Sequence, residues 1–139
     1  MPVQTARVTL IALWYFAALA CVALTLTFYL RGWMEQDTLM NALASINKLY
    51  IAYLGVMSAY VYGTRKQVDK KKSAPAAGFW LAIAGSLVWN GILLVLLYRV
   101  FLDQAKIEES IKSGSDACSL LSWLVAPAVG YYFASEPKK

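Results

Sequence analysis

The chain of 139 residues contains no histidine. That absence removes His-ligated haem, the usual His-containing zinc sites and a histidine general base from consideration. Cysteine is nearly absent too: Cys21 and Cys118 are too few for a disulfide framework. Cys21 lies roughly 13 Å inside an apolar run, so a bridge to Cys118 within one chain is not expected. Cys118 is expected near an outer surface, either inert or, in an oxidising compartment, linking two subunits. Charged residues make up only 15% of the chain, and no Asp or Glu interrupts the long apolar runs. Proton-coupled carriers generally use an intramembrane carboxylate, so a small four-span drug/proton exchanger, which the chain matches in size, is disfavoured. There is no glycine-rich phosphate loop, no pair of catalytic carboxylates and no Ser or Cys nucleophile beside a base. Neither enzymatic activity nor a cofactor is expected.

What the chain has in abundance is apolar length: 60% of its residues are hydrophobic. Val8 to Leu30 runs without a charge, and Leu49 to Gly63, Gly78 to Phe101 and Leu120 to Ser135 follow it. A helix rises about 1.5 Å per residue and the hydrocarbon core of a bilayer is about 30 Å thick, so runs of this kind cross it. Backbone polar groups find no water in lipid, which makes each span helical. The expectation is an all-α membrane protein, a single domain over residues 1–139. Its four transmembrane helices, at about 8–30, 40–63, 78–101 and 119–135, would form two hairpins. Ala18-Leu19-Ala20-Cys21 has the look of a lipoprotein processing site, but the apolar run continues past it to Leu30, where a mature lipoprotein would turn polar.

Orientation follows from Lys and Arg in short loops. Thr64 to Ser73 carries Arg65, Lys66, Lys70, Lys71 and Lys72 against Asp69 alone. That loop is expected in the cytoplasm, anchored to anionic lipid head groups, with both termini on the same side, beside Arg7, Lys138 and Lys139. The net charge of +5 is thereby accounted for without a nucleic-acid partner. The expected location is a bacterial inner membrane, crossed several times.

The halves of the chain resemble each other. Gly55, Ala59, Tyr60, Tyr62 and Gly63 align with Ala126, Gly130, Tyr131, Phe133 and Ala134, 71 residues on. Two hairpins of one orientation would form a parallel repeat. The same similarity also arises from composition, because membrane helices commonly end in small and aromatic residues. Two amphipathic segments, about 36–47 and 103–113, are expected at the outer surface, on lipid or as a lid, the first as an extension of the second span. Leu39, Met40, Leu43 and Ile46 in the first and Ile107 and Ile111 in the second have helical spacing. Asp37 would cap the first segment and Gly114 would stop the second.

Lipid is as apolar as leucine, so membrane helices associate by close packing at small residues and through occasional polar bonds. Gly55, Ala59 and Gly63, and Ala126, Gly130 and Ala134, are candidates for that packing, inside the bundle or between subunits. Pro127 is expected to kink the last span. Lys48 and Asn90 are the candidate polar contacts or pore-lining groups. Lys48 would snorkel to an interface, and Asn90, mid-span, would bond to a neighbouring helix. Beyond the lipid bilayer, the expected partner is another copy of the chain, in a homo-oligomer that forms a pore or channel. The other reading is a non-catalytic accessory subunit of a larger membrane complex. A single four-helix bundle has no room for an aqueous path, so conduction would take several copies.

Overall fold

The computed structural model describes residues 3–63, 76–103 and 106–133, and all of its elements are helices. Three are long: α1 Val3–Leu30, α2 Gln36–Gly63 and α3 Ala76–Asp103, each 28 residues or about 42 Å. Two are short: α4 Ile107–Leu120 and α5 Ser122–Phe133. The long three are apolar enough to cross a membrane, over Gln4–Leu30, Gln36–Val61 and Ala77–Leu102. Instead of one helix over 119–135, the structure has α4 and α5 meeting end to end at Leu121.

Buried positions recur every three or four residues, the spacing that brings near-parallel helices together along a seam. On α1 they run Ala6, Leu10, Trp14, Ala17, Cys21. On the last pair they run Ile107, Ile111, Cys118, Val125, Val129, Tyr132 without a change of phase at Leu121. α1 lies against α2 and α3, α4 lies along α3 and α2, and α5 continues along α3. The order around the bundle is therefore α1, α2, α4, α3. One end, the hairpin end, carries the α1–α2 turn and the start of α4. The opposite end, with Val3 and Phe133, is the tail end.

Residues 36–47 extend the second span as the first part of α2, with Leu39, Ala42 and Ile46 buried in the bundle and not on lipid or over it as a lid. The stretch 103–113 divides between the end of α3 and the start of α4, which is a full wall of the bundle. Asp37 lies inside the first turn of α2, where its charge favours the positive end of the helix dipole. Gly114 does not stop α4. It sits within the helix where a Cβ would come 2.8 Å from Leu93 Cδ1, so its missing side chain lets α4 approach α3. The burial pattern also shifts the register of the two halves: Leu39, Ile46 and Met57 match Ile111, Cys118 and Val129 at a separation of 72 residues, not 71.

Local chemistry explains the breaks. α1 ends at Gly32, whose φ of +71° suits glycine. Gly32 N–H donates to Tyr29 O, Trp33 N–H donates to Phe28 O, and the Phe28 and Trp33 rings stack, which is the Schellman ending with its apolar clasp. The break at Leu121 is six residues ahead of Pro127, the expected kink. There the Cys118 carbonyl accepts the Trp89 indole N–H at 2.8 Å and the Ser122 hydroxyl at 2.9 Å. Side chains that take a carbonyl out of the helix ladder bend it at that point.

Each end of the bundle has an arginine set on aromatic rings. Arg7 donates to Tyr60 Oη and to the Tyr132 carbonyl, with its guanidinium 4.5 Å from the Tyr60 ring centroid. Arg31 lies 5.4 Å from the Trp33 ring and 5.0 Å from that of Phe101. Such pairs are the interfacial anchors of membrane helices.

Candidate functional site

The middle of the bundle holds a polar and aromatic knot. Trp14, fully buried, has ring centroids of Tyr53 and Trp89 at 4.6 and 4.9 Å and that of Tyr50 at 5.9 Å. Its indole N–H donates to Ser86 Oγ at 3.1 Å. Asn90 is 3% exposed; its amide donates to the Ser86 carbonyl at 2.7 Å and its oxygen accepts from Tyr50 Oη at 2.9 Å. Cys21 Sγ lies 3.7 Å from that hydroxyl, and Cys118 Sγ donates to the Trp89 carbonyl at 3.5 Å. Both thiols are buried, so Cys118 is inside the bundle and not near an outer surface. Asn90 joins α3 to α2 and faces inward, away from any axis lying between bundles.

Asn90→Leu should lower the unfolding free energy in detergent by about 1 kcal/mol, the scale of one interhelical bond in a membrane protein. The measurement is the midpoint of thermal or denaturant unfolding. An unchanged midpoint would show that the Tyr50 hydroxyl finds an equivalent partner.

The same bonds fix levels along the bundle. Neighbouring residues of α3, Trp89 and Asn90, bind Cys118 of α4 and Tyr50 of α2. Lys48 is two residues from Tyr50 and Asp116 two from Cys118, both toward the hairpin end, about 3 Å on. Both charges thus stand within about one helical turn of the middle of α3. Both are exposed. Lys48 falls midway between buried Ile46 and Tyr50, and Asp116 midway between the buried positions 114 and 118, so each points directly out of the bundle.

From that level to the hairpin end, the α2/α4 side is polar apart from Met40 and Ala44 on α2. Asn41, Asn47 and Lys48 on α2 and Glu109, Lys112, Ser113 and Asp116 on α4 are exposed. The α1/α3 side over the same stretch is apolar but for the exposed Arg99 near the hairpin end, with Leu19, Leu26 and Leu30 on α1 and Val95, Tyr98 and Leu102 on α3 exposed. A carboxylate at this depth is not expected from the apolar runs, none of which contains one. Asp116 lies between the segment expected at the outer surface and the expected fourth span, and the packing of α4 along α3 sets it beside the middle of α3.

Toward the tail end the same side sets small residues beside large apolar ones such as Ile51 and Trp123. Gly55, Ala59, Ala126 and Gly130 are exposed, and a Cβ added at Gly55 or Gly130 would meet nothing within 4 Å. They do not pack this bundle. Gly85, against Leu124 at 3.4 Å, and Gly114 do. Gly63 ends α2. Ala134 and the basic residues Arg65, Lys66, Lys70, Lys71 and Lys72 lie outside the described residues.

No family model, no curated protein and no solved structure matches this chain.

Proposed function

We propose that this chain is a subunit of a homo-oligomeric membrane assembly whose copies meet through their α2/α4 sides around a water-accessible, pore-like path. α1, α2 and α3 cross the bilayer singly, and α4 with α5 crosses as a fourth span. The hairpin end faces outward and the tail end faces the cytoplasm, in a bacterial inner membrane.

The observation that carries the reading is the exposed polar half-face at the level of the middle of α3. A charged side chain facing lipid at mid-depth costs about 2.5–3.5 kcal/mol on insertion scales, so such residues turn toward water or toward one another. The α1/α3 side meets lipid without that cost. Copies arranged with α2 and α4 inward remove the polar half-face from lipid, and their small-residue strips narrow the path toward the tail end.

The test is the particle mass in mild detergent, followed by ionic current after reconstitution. Several copies of the 15.4 kDa chain and a measurable conductance are expected. A single non-conducting copy would overturn the reading. Co-purification at fixed stoichiometry with a larger membrane protein would favour an accessory subunit. That alternative draws on the open apolar groove of α3 beside Gly91, lined by Leu87, Val88, Ile92 and Val95.

A further inference from the structure

We propose that Lys48 of one copy pairs with Asp116 of the next, so that an ion pair between subunits, near mid-depth, holds the assembly together. The proposal rests on self-assembly through the α2/α4 side and adds the contact that specifies it.

Three observations meet in it. First, the two charges are of opposite sign and share one level to within about a helical turn. A rotation axis along the membrane normal carries every residue to the same depth in the next copy, so only groups at matching levels can pair around it. Second, each side chain projects directly away from the core of its own bundle, midway between two buried positions. α2 and α4 stand at adjacent corners of the bundle, so their outward directions diverge and the two charges are turned away from each other within one chain. Third, the two helices are neighbours on one side. A copy turned about the axis brings its α4 beside the α2 of its neighbour, so each copy offers Lys48 to one side and Asp116 to the other, the head-to-tail contact that closes a ring. Seven residues nearer the hairpin end, Asn41 and Glu109 stand in the same relation, both exposed. Seven residues the other way, Gly55 leaves α2 open to close approach, while the exposed Trp123 stands at the start of α5.

The pair satisfies both charges where lipid cannot. Removing one partner of a desolvated pair leaves the other uncompensated, and reversing its sign adds repulsion. Lys48→Asp alone and Asp116→Lys alone should therefore each weaken self-association by more than about tenfold. Both residues are exposed on the bundle, so neither change opens its core.

Co-expression separates pairing between copies from pairing within one. A Lys48→Asp chain carries Asp at both positions and an Asp116→Lys chain carries Lys at both. Mixed in one membrane under two affinity tags, the two variants form opposite-charge contacts only with each other. The expected result is that each variant alone is monomeric by native mass measurement, while the mixture assembles and each tag retrieves the other chain. The double variant Lys48→Asp/Asp116→Lys should also assemble. Assembly of the double variant without assembly of the mixture would place the pair within one chain and overturn the proposal. Unchanged assembly of both single variants would overturn the pairing and leave self-assembly standing. A monomeric wild-type chain would overturn both.

Discussion

Gly114→Leu should separate α4 from α3 and cost more stability than any other glycine substitution among those described. A Cβ at Gly114 already comes 2.8 Å from Leu93 Cδ1 and 3.4 Å from Leu96 Cδ1, and Leu93 is itself fully buried. Overpacking at such a site typically costs about 1–3 kcal/mol, and a leucine adds three further carbons to the clash. The matched controls are Gly55→Leu and Gly130→Leu, where nothing lies within 4 Å. In those two, removing a helix-interior glycine should leave the bundle as stable or slightly more so, by up to about 1 kcal/mol. Their effect should appear instead in particle mass, if copies approach through those strips. Unfolding in a detergent titration, read by tryptophan fluorescence, measures all three. A Gly114→Leu protein with the wild-type midpoint would mean that α4 is not held against α3 as described.

Trp14→Ala should be the most damaging single change at the core. The indole touches three other aromatic rings and binds Ser86. A buried Trp→Ala change costs about 3–5 kcal/mol in a water-soluble core. In a membrane the transfer part of that cost shrinks, because the separated helices sit in lipid, but the cavity and the lost ring contacts remain. A loss of about 2 kcal/mol or more is expected, with ring pairs each contributing roughly 0.5–1.5 kcal/mol. Trp14→Phe should retain part of the stacking and lose the bond to Ser86, so its midpoint should fall between those of wild type and Trp14→Ala. Equal midpoints for wild type and Trp14→Ala would remove the knot as the organising centre of the bundle.

The apolar runs made three of the long helices legible, because length and absence of charge are one-dimensional properties. Asn90 was legible as a buried group for the same reason: it stands alone in the middle of a long apolar run. α4 was hidden by its composition. Its outer face carries Glu109, Lys112 and Asp116, and its buried stripe includes Gly114 and Cys118, which contribute little to any measure of apolar length. The depth of Asp116 was not legible at all, since it is fixed by the bond between Trp89 and Cys118, 29 residues apart in the chain. Small residues misled for a related reason. Gly55 and Gly130 leave a bare patch of helix whichever way that patch turns, and only the packed bundle shows that it turns outward while those of Gly85 and Gly114 turn inward.

The two arginines seated on aromatic rings have a consequence for the kind of bilayer the chain suits. Arg7 lies in α1 and Arg31 directly follows its last residue, 24 residues on, which is about 36 Å at helical rise. Upright in a hydrocarbon layer of about 30 Å, that spacing sets each arginine backbone roughly 3 Å beyond the acyl boundary, at the depth where Tyr and Trp rings rest. A lone arginine adapts to a different thickness by extending along its flexible stem. Here each guanidinium is already held on a ring, so that adjustment is spent. In a thinner membrane the whole bundle must lean, and in a thicker one the lipid must compress around it. Hydrophobic mismatch thus acts on the bundle as one rigid body, and lipid chain length becomes a variable that tilts all of its helices together.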